Sequence, residues 1–223
     1  MQNHVLRIRR AAGDGLVDTV NGAYVFGPSV ELDTEVLTDA ISEAVAAQRR
    51  HDHGTRRAVL ESALAGLDGE PFADLVEGPQ VAAARRHIRE VHAGAEEGLA
   101  EALLAQGAIR EAIELLARLT AENRYRERRW WLLMLGQYRA GRRRDALATY
   151  NEAREQLVNG AGIEPGDELS RLERLIGADD PMLMTPAVLA TPVQSGVADA
   201  RRSEQFVGRE VELAPSGRCS NAF

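Results

Sequence analysis

Hydrophobic residues recur with a helical period along most of the chain from Asp33 onward. Leu60, Ala63, Leu64 and Leu67, for example, follow the i, i+3, i+4, i+7 spacing that places side chains on one face of a helix. The pattern therefore predicts a mainly α-helical region, with polar residues on the outer faces.

Seven helices are predicted in this region. Asp33 is the expected N-cap of the first helix, and Thr55 that of the second. The third helix begins at Pro79, a residue suited to a first helical turn, and Gly107 ends it. Four shorter helices are predicted after Gly107, over residues 109–122, 126–140, 143–158 and 167–177.

A different pattern occupies the first 28 residues. Residues 1–12 predict a short amphipathic helix that Gly13 ends, because Val5, Ile8 and Ala12 share one apolar face at about 100° per residue. Two β-rich runs, 16–20 and 23–26, flank Asn21-Gly22, and this dipeptide is the strongest short-range signal of a β-hairpin. A helix and a hairpin are too small to form a stable domain alone.

An internal repeat of 34 residues, the TPR period, is present in the helical region. The aligned pairs are Leu99 with Leu133, Gly107 with Gly141, Glu111 with Asp145, Ala112 with Ala146, Leu116 with Tyr150, and Leu119 with Ala153. Any amphipathic helical hairpins of similar length can match at a few positions, which is the alternative interpretation. The repeat predicts a TPR-like domain of helical hairpins, a fold that usually binds partners.

Composition narrows the possible functions. The net charge of −7 argues against a chain that coats nucleic acid along its whole length. All 27 basic residues are arginines, which excludes a P-loop lysine or a Schiff-base lysine within this chain. The single cysteine, Cys219, cannot form an internal disulfide. With no signal peptide or membrane span in the sequence, we expect a cytoplasmic protein without a membrane partner.

Several separated motifs resemble the SARP/AfsR-type regulators, in which an OmpR-like winged helix precedes a bacterial transcriptional activation domain. HVLRIRRAAGD (4–14) and TVNGAYVF (19–26) are similar to the recognition helix and wing. FVGREVEL (206–213) resembles the opening of a STAND-type ATPase domain. The activation domain is matched by LDGEPFADL (67–75), RERRWWLLMLGQYRAGRRRDALATYNEAR (126–154), GIEPGDELSRLERLI (162–176) and DDPML (179–183).

The resemblance implies four segments, with some departures from the family pattern. They are a partial winged helix (1–28), an all-α TPR-like activation domain (29–183), a linker (184–205), and the truncated start of an ATPase domain with an unrelated tail (206–223). Nothing in the sequence matches the part of a winged helix before its recognition helix. Ala23 replaces the usual wing glycine, and no P-loop motif is present.

Candidate DNA-binding residues follow from the resemblance. A recognition helix enters the major groove, where arginine can bind guanine or phosphate. The candidates are Asn3, Arg7 and Arg10 for bases or phosphates, His4 and Arg9 on the flanks, and Asn21 and Gly22 for the backbone. The alternative is that these arginines are simply a solvated helix face. With so few contacts, we expect DNA binding by this chain alone to be weak and sensitive to salt.

Other candidate chemistry is sparse, so we expect neither an enzyme nor a cofactor or metal site. His51 and His53 lack a third ligand and are expected to be exposed loop residues. The carboxylates alternate with arginines, as on solvated helix faces. Trp130 and Trp131 are adjacent and cannot face the same side of a helix. One is therefore expected in the core and the other at a groove or interface.

The sequence thus favours a transcriptional activator that binds promoter DNA. Its helical domain would mediate self-association as a homodimer and recruit RNA polymerase. The alternative is a TPR scaffold that binds a protein or peptide and never contacts DNA. A regulatory enzyme with an ATPase module is a third possibility, against which the missing P-loop counts.

Overall fold

The computed structural model describes residues 2–13, 15–28, 30, 32–66, 69–76, 78–185 and 189. The chain divides into two units, residues 1–191 and 192–223, and every described residue lies in the first. Beyond Thr185, the expected linker and the ATPase-like segment lie outside the described residues, apart from Leu189.

The chain begins with helix α1 (Gln2–Ala12) and an antiparallel hairpin of β1 (Val17–Val20) and β2 (Ala23–Phe26). Val17 is opposite Phe26, and Val20 is opposite Ala23. Asn21 (φ 51°) and Gly22 (φ 81°) connect the strands. Positive φ at both central residues defines a type I′ turn, whose twist matches that of paired strands. The predicted hairpin is therefore confirmed.

Seven helices follow in the part of the chain that the structure describes. They are α2 (Asp33–Arg49), α3 (His53–Ala65), α4 (Pro79–Gln106), α5 (Ile109–Glu122), α6 (Glu127–Arg139), α7 (Arg143–Gln156) and α8 (Asp167–Gly177). A π-helical turn over Leu157–Ala161 extends α7, and a 3-10 turn over Pro181–Met184 follows α8. The predicted mainly α-helical fold class is confirmed.

The predicted caps of α2 and α3 are wrong in detail. Leu32 is the N-cap of α2, and Asp33 is its first helical residue. Asp52 caps α3, because its carboxylate accepts a hydrogen bond from the backbone N–H of Thr55 at 3.0 Å. The side chain of an N-cap aspartate accepts a hydrogen bond from the free N–H three residues later. Thr55 therefore lies inside the first turn of α3.

The two repeated hairpins, α4–α5 and α6–α7, turn in the same way. Gly107 (φ 78°) follows α4, and Gly141 (φ 74°) lies at the equivalent position after α6. In both turns the next residue donates its N–H to the carbonyl five positions earlier at 2.9 Å. This is the Schellman geometry, which requires the left-handed conformation that glycine adopts easily. The 34-residue repeat in the sequence thus corresponds to the same backbone conformation at both turns.

Helix α6 lies at the centre of the helical region. Residues 129–138 are all buried, against α4, α5, α7 and α8. A Cβ atom on Gly136 would lie 3.2 Å from Leu104 and 3.3 Å from Ile113, so α6 approaches its neighbours closely there. The repeat alanines Ala112 and Ala146 are fully buried, as expected where helices cross at short distance.

Candidate functional site

Arg7 and Arg10 lie exposed on α1. Neither forms an ion pair with another residue that the structure describes. The backbone of Asn3 and His4 belongs to α1, whereas the side chains of these two candidates lie outside the described part. The two arginines thus present free guanidinium groups to solvent, the chemistry that a phosphate or a guanine requires.

Arg9 holds α1 against the hairpin. Its Nε donates to the carbonyl of Val17 at 2.9 Å, and its Nη2 donates to Oγ1 of Thr19 at 2.9 Å. The side chain is half-buried. Arg9 was expected to flank the DNA contacts, and its observed contacts fix the orientation of the helix that carries Arg7 and Arg10.

The hairpin places Asn21 and Gly22 at its exposed tip. Several apolar side chains of the same unit are also exposed, among them Leu6 (48%), Ile8 (47%) and Phe26 (63%). Within the described residues, the helix and hairpin therefore leave apolar surface uncovered.

The helical region contains a buried group of ion pairs that the sequence did not predict. Glu101 is 1% exposed and accepts hydrogen bonds from Arg56 at 2.8 Å and from Arg128 at 2.6 Å. The guanidinium of Arg128 also lies 4.5 Å from the ring centroid of Trp131. One carboxylate on α4 thereby joins α3 and α6.

A second set of buried ion pairs lies about one helical turn away on α4. Arg129 donates to Glu96 at 2.8 Å and to the carbonyl of Leu119 at 2.9 Å, which joins α4, α5 and α6. Glu97 accepts from Arg126 at 2.7 Å and lies 3.4 Å from Arg129. The interpretation of these carboxylates as a solvated face is therefore wrong, because their arginine partners lie far away in sequence and cover them in the fold.

Burial also shifts the protonation of Glu96. Desolvation raises the pKa of this carboxyl above its usual value, although His92 and Arg129 oppose the shift. The Nδ1 atom of His92 lies 3.7 Å from the Glu96 carboxylate. Each of the carboxylates Glu96, Glu97 and Glu101 lies against at least one arginine of α6, so the group connects α4 to α6.

Both tryptophans are buried, Trp130 at 3% and Trp131 at 8% exposure. The expectation that they face different sides agrees with their contacts. The indole N–H of Trp130 donates to the carbonyl of Arg124 at 2.8 Å, whereas Trp131 packs beneath Arg128. Trp130 also lines an open groove of about 420 Å³ between α5 and α7.

A larger cavity of about 860 Å³ lies between the loop before α4 and the ends of α5 and α6. Its charged lining residues are largely paired, as Arg89 is with Glu70 and Arg126 with Glu90. The sequence had not indicated either cavity, because each is lined by residues distant in the chain. Among the described lining residues, Arg89 and Arg126 are therefore already paired with carboxylates.

The histidine pair differs from the expectation. His51 lies in the loop with φ 56°, but His53 is the first residue of α3 and is half-buried. Burial lowers the pKa of His53, and neighbouring Arg56 and His51 lower it further. Within the described ranges, no three histidine, cysteine or acidic residues are grouped to hold a metal ion. None of the described helices is both long and apolar enough to cross a membrane.

Comparison with known proteins shows the family of this chain. The model of the bacterial transcriptional activator domain matches residues 32–176, which is most of the helical region. The chain belongs to the bacterial transcriptional activator domain family. The helical region described above is thus the activator domain, and the SARP/AfsR-type resemblance is confirmed. The assignments of residues 1–28 to a winged helix and of residues 206–213 to the start of an ATPase domain stay predictions.

Curated relatives of this activator-domain chain are regulators. It is similar to the regulatory protein AfsR of Streptomyces griseus, with 31% identity over 97% of this chain and 23% of AfsR. It is also similar to the transcriptional regulator RedD of Streptomyces coelicolor, with 31% identity over 85% of this chain and 56% of RedD. The chain thus spans between about a quarter and just over half the length of these two relatives.

A solved structure shares the fold of the activator domain. Mycobacterium tuberculosis EmbR, in complex with a low-affinity phosphopeptide, matches with a TM-score of 0.75 and 25% identity. The match covers 84% of this chain and 52% of the EmbR chain. Together with AfsR and RedD, this match connects the chain to transcription regulation.

Proposed function

We propose that this chain acts as a DNA-binding transcriptional activator. The observation that carries the proposal is the pair Arg7 and Arg10, exposed on a helix that a β-hairpin supports, in the same chain as an activator domain. A helix of this kind fits the major groove, and an adjacent hairpin can contact the DNA backbone.

The candidate residues would divide the work of binding DNA. Arg7 and Arg10 would contact bases or phosphates, with Asn3 and His4 beside them. Arg9 would act as a positioning residue, because its guanidinium donates to the hairpin. Asn21 and Gly22 at the exposed turn would approach the DNA backbone, where a small turn allows close contact.

The activator domain would supply the protein contacts of the same function. Its stacked helical hairpins would mediate self-association and recruit RNA polymerase, since folds of this architecture usually bind partners. Light scattering coupled to gel filtration of the 223-residue chain tests the first part, and the expected result is a dimer mass at micromolar concentration. A chain that stays monomeric even at high micromolar concentration would remove self-association from the proposal.

DNA binding can be tested by fluorescence anisotropy with a pool of random duplex DNA over a series of salt concentrations. Replacing Arg7 and Arg10 together by alanine should weaken binding and flatten its salt dependence. For each phosphate that the variant no longer binds, the slope of log K against log salt should decrease in magnitude by about 0.9.

The matched control is Arg144→Ala, which removes the same kind of charge from an exposed position on α7. This variant should bind DNA as the parent chain does. If the double variant and the control bind equally well, α1 is not the DNA-contacting helix. If the parent chain does not bind duplex DNA at all, the scaffold function without DNA contact is favoured instead.

A further inference from the structure

The segment that follows α8 folds back onto α6. We call residues 179–185 the strap, and they include the 3-10 turn Pro181–Met184. Of the described residues in the strap, Leu183 alone is buried, at 1% exposure, whereas Met182 and Met184 beside it are 57% and 58% exposed. The strap therefore enters the core with one side chain and lies otherwise near the surface.

Arg139, the last residue of α6, binds the backbone of the strap. Its Nε donates to the carbonyl of Leu183 at 2.9 Å, and its Nη2 donates to the carbonyl of Thr185 at 2.7 Å. Within the described ranges Arg139 forms no ion pair, and burial lowers the pKa of its guanidinium. Neutral carbonyls of the strap thus satisfy a half-buried positive charge, a task that carboxylates perform for Arg56 and Arg129.

A second contact fixes the start of the strap. The hydroxyl of Tyr138 donates to Oδ1 of Asp179 at 2.8 Å. Asp179 has φ 57°, the left-handed conformation that Gly107 and Gly141 adopt after α4 and α6. The cost in free energy of this conformation is larger for an aspartate than for a glycine. The bound strap therefore contains a strained residue, whose side chain is hydrogen-bonded to α6.

The strap is attached more weakly than the helices beneath it. Its side-chain hydrogen bonds to α6 come from two adjacent residues, Tyr138 and Arg139, and one ion pair of 3.9 Å joins Asp179 to the half-exposed Arg143. The helices instead bury most of their apolar side chains against one another. Local opening of a protein occurs where few buried contacts must break, so the strap should open before the helices separate.

We propose that the strap is a releasable element, which detaches from Tyr138 and Arg139 while α4, α5, α6 and α7 stay folded. Release would relieve the strain at Asp179 and let the chain depart from α6 there, at the end of α8. The chain continues past Thr185. A partner that holds this following part away from α6 would therefore favour the open strap, because it can bind only that state. The inference concerns the activator domain and does not depend on DNA binding by α1.

The test is native-state hydrogen exchange of the 223-residue chain, followed by NMR at several low urea concentrations. The reporters are the backbone N–H groups of Leu183 and Thr185, which donate to carbonyls within the strap. We expect their protection factors to be at least about tenfold lower than that of Leu135 in α6, and to depend less on urea. Equal protection and equal urea dependence would overturn the proposal, since the strap would then open only when the whole domain unfolds.

Arg139→Ala tests whether the observed contacts hold the strap. The variant removes the hydrogen bonds to two strap carbonyls, so the protection of Leu183 and Thr185 should fall by at least about tenfold. Arg144→Ala is the matched control, because it removes the same charge from an exposed position of α7 and should leave the strap as it is in the parent. Unchanged strap protection in Arg139→Ala would overturn the proposal.

Glu101→Gln separates release of the strap from unfolding of the domain. The ion pairs of Glu101 with Arg56 and Arg128 would stay intact when the strap opens. Breaking them should therefore lower the protection of Leu135 by at least about tenfold and leave that of Leu183 unchanged. An equal loss at both amides would also overturn the proposal, because it would show that they exchange through the same unfolding event.

Discussion

Arginines have opposite surroundings in the two regions of this molecule. On α1, Arg7 and Arg10 are exposed and form no ion pair with described residues. In the activator domain, Arg56 and Arg129 are buried and paired with glutamates of α4. A buried, paired guanidinium stabilises packing but is unavailable to a ligand, whereas an exposed one keeps its donors for a phosphate. The surroundings of each arginine therefore separate a guanidinium that is accessible to a ligand from one that connects helices.

Apolar residues show the same contrast between the two regions. Ile8 and Phe26 of the N-terminal unit are 47% and 63% exposed. Leu132 and Leu135 at the centre of the activator domain are fully buried. The activator domain thus has its own hydrophobic core. Among the described residues of the helix and hairpin, the apolar side chains are at most half-buried. Substitutions should consequently affect stability in one region and binding in the other.

The largest effect on stability is expected from Glu101→Gln. The change leaves Arg56 and Arg128 without their shared carboxylate in a buried site, so the free energy of unfolding should fall by about 3–5 kcal/mol. The control Glu61→Gln disrupts an exposed pair with Arg57 and should cost at most about 1 kcal/mol. Urea unfolding followed by circular dichroism measures both. Equal decreases would mean that the buried ion pairs of Glu101 contribute no more to stability than the exposed pair of Glu61.

A smaller effect is expected at the closest approach of α6 to its neighbours. Gly136→Ala places a methyl group 3.2 Å from Leu104 and 3.3 Å from Ile113, so the variant should be less stable than Gly94→Ala by about 1–3 kcal/mol. Gly94→Ala is the matched control, because a Cβ atom there meets nothing within 4 Å. The control should stabilise α4 by about 0.5–1 kcal/mol, since alanine loses less backbone entropy than glycine. A gain at both positions would contradict the close packing of α6.

The next prediction concerns the pH dependence of the buried pairs. Because burial raises the pKa of Glu96 in the folded state, its proton binds more tightly to the folded chain than to the unfolded chain. The stability that protonation of Glu96 contributes is therefore present at low pH, and it is lost as pH rises through the raised pKa. Glu96→Gln removes this titration, so the difference in unfolding free energy between variant and parent should shift in favour of the variant as pH rises above the ordinary pKa of a glutamate.

Unfolding by urea at several pH values measures this difference for Glu96→Gln. Glu43→Gln, at an exposed position of α2, makes the same change in charge without burial and should show no such trend. A relative decrease in stability with rising pH in Glu96→Gln would show that Arg129 and His92 outweigh burial at this carboxyl.

Much of the fold could be predicted because its signals are local in sequence. Asn21-Gly22 specifies the hairpin turn, and the glycines 34 residues apart, Gly107 and Gly141, specify the ends of α4 and α6. Each of these positions requires a backbone conformation that few residues adopt. The exposure of Arg7 and Arg10 was likewise predictable from the amphipathic pattern of α1.

The buried ion pairs and the groove that Trp130 lines could not be predicted, because the residues that form each of them are distant in the chain. Glu101 and Arg56 are 45 residues apart. The sequence around either residue shows only a mixture of acidic and basic positions. The sequence of α6 contains one signal, because Gln137 lies on the same helix face as the apolar residues Trp130 and Leu133. A polar residue on such a face needs a partner, which the structure identifies as Thr149.

The smallest effect on stability is expected from replacing Arg7 and Arg10 together by alanine. Both side chains are exposed and unpaired among the described residues, so the free energy of unfolding should change by no more than about 0.5 kcal/mol. Urea unfolding of the double variant and of Arg144→Ala should therefore give superimposable curves. A decrease above about 1 kcal/mol in the double variant alone would mean that these arginines stabilise the fold, and the contrast between the two regions would then fail. With the stability unchanged, any weakening of DNA binding in this variant reports on contacts with the DNA itself.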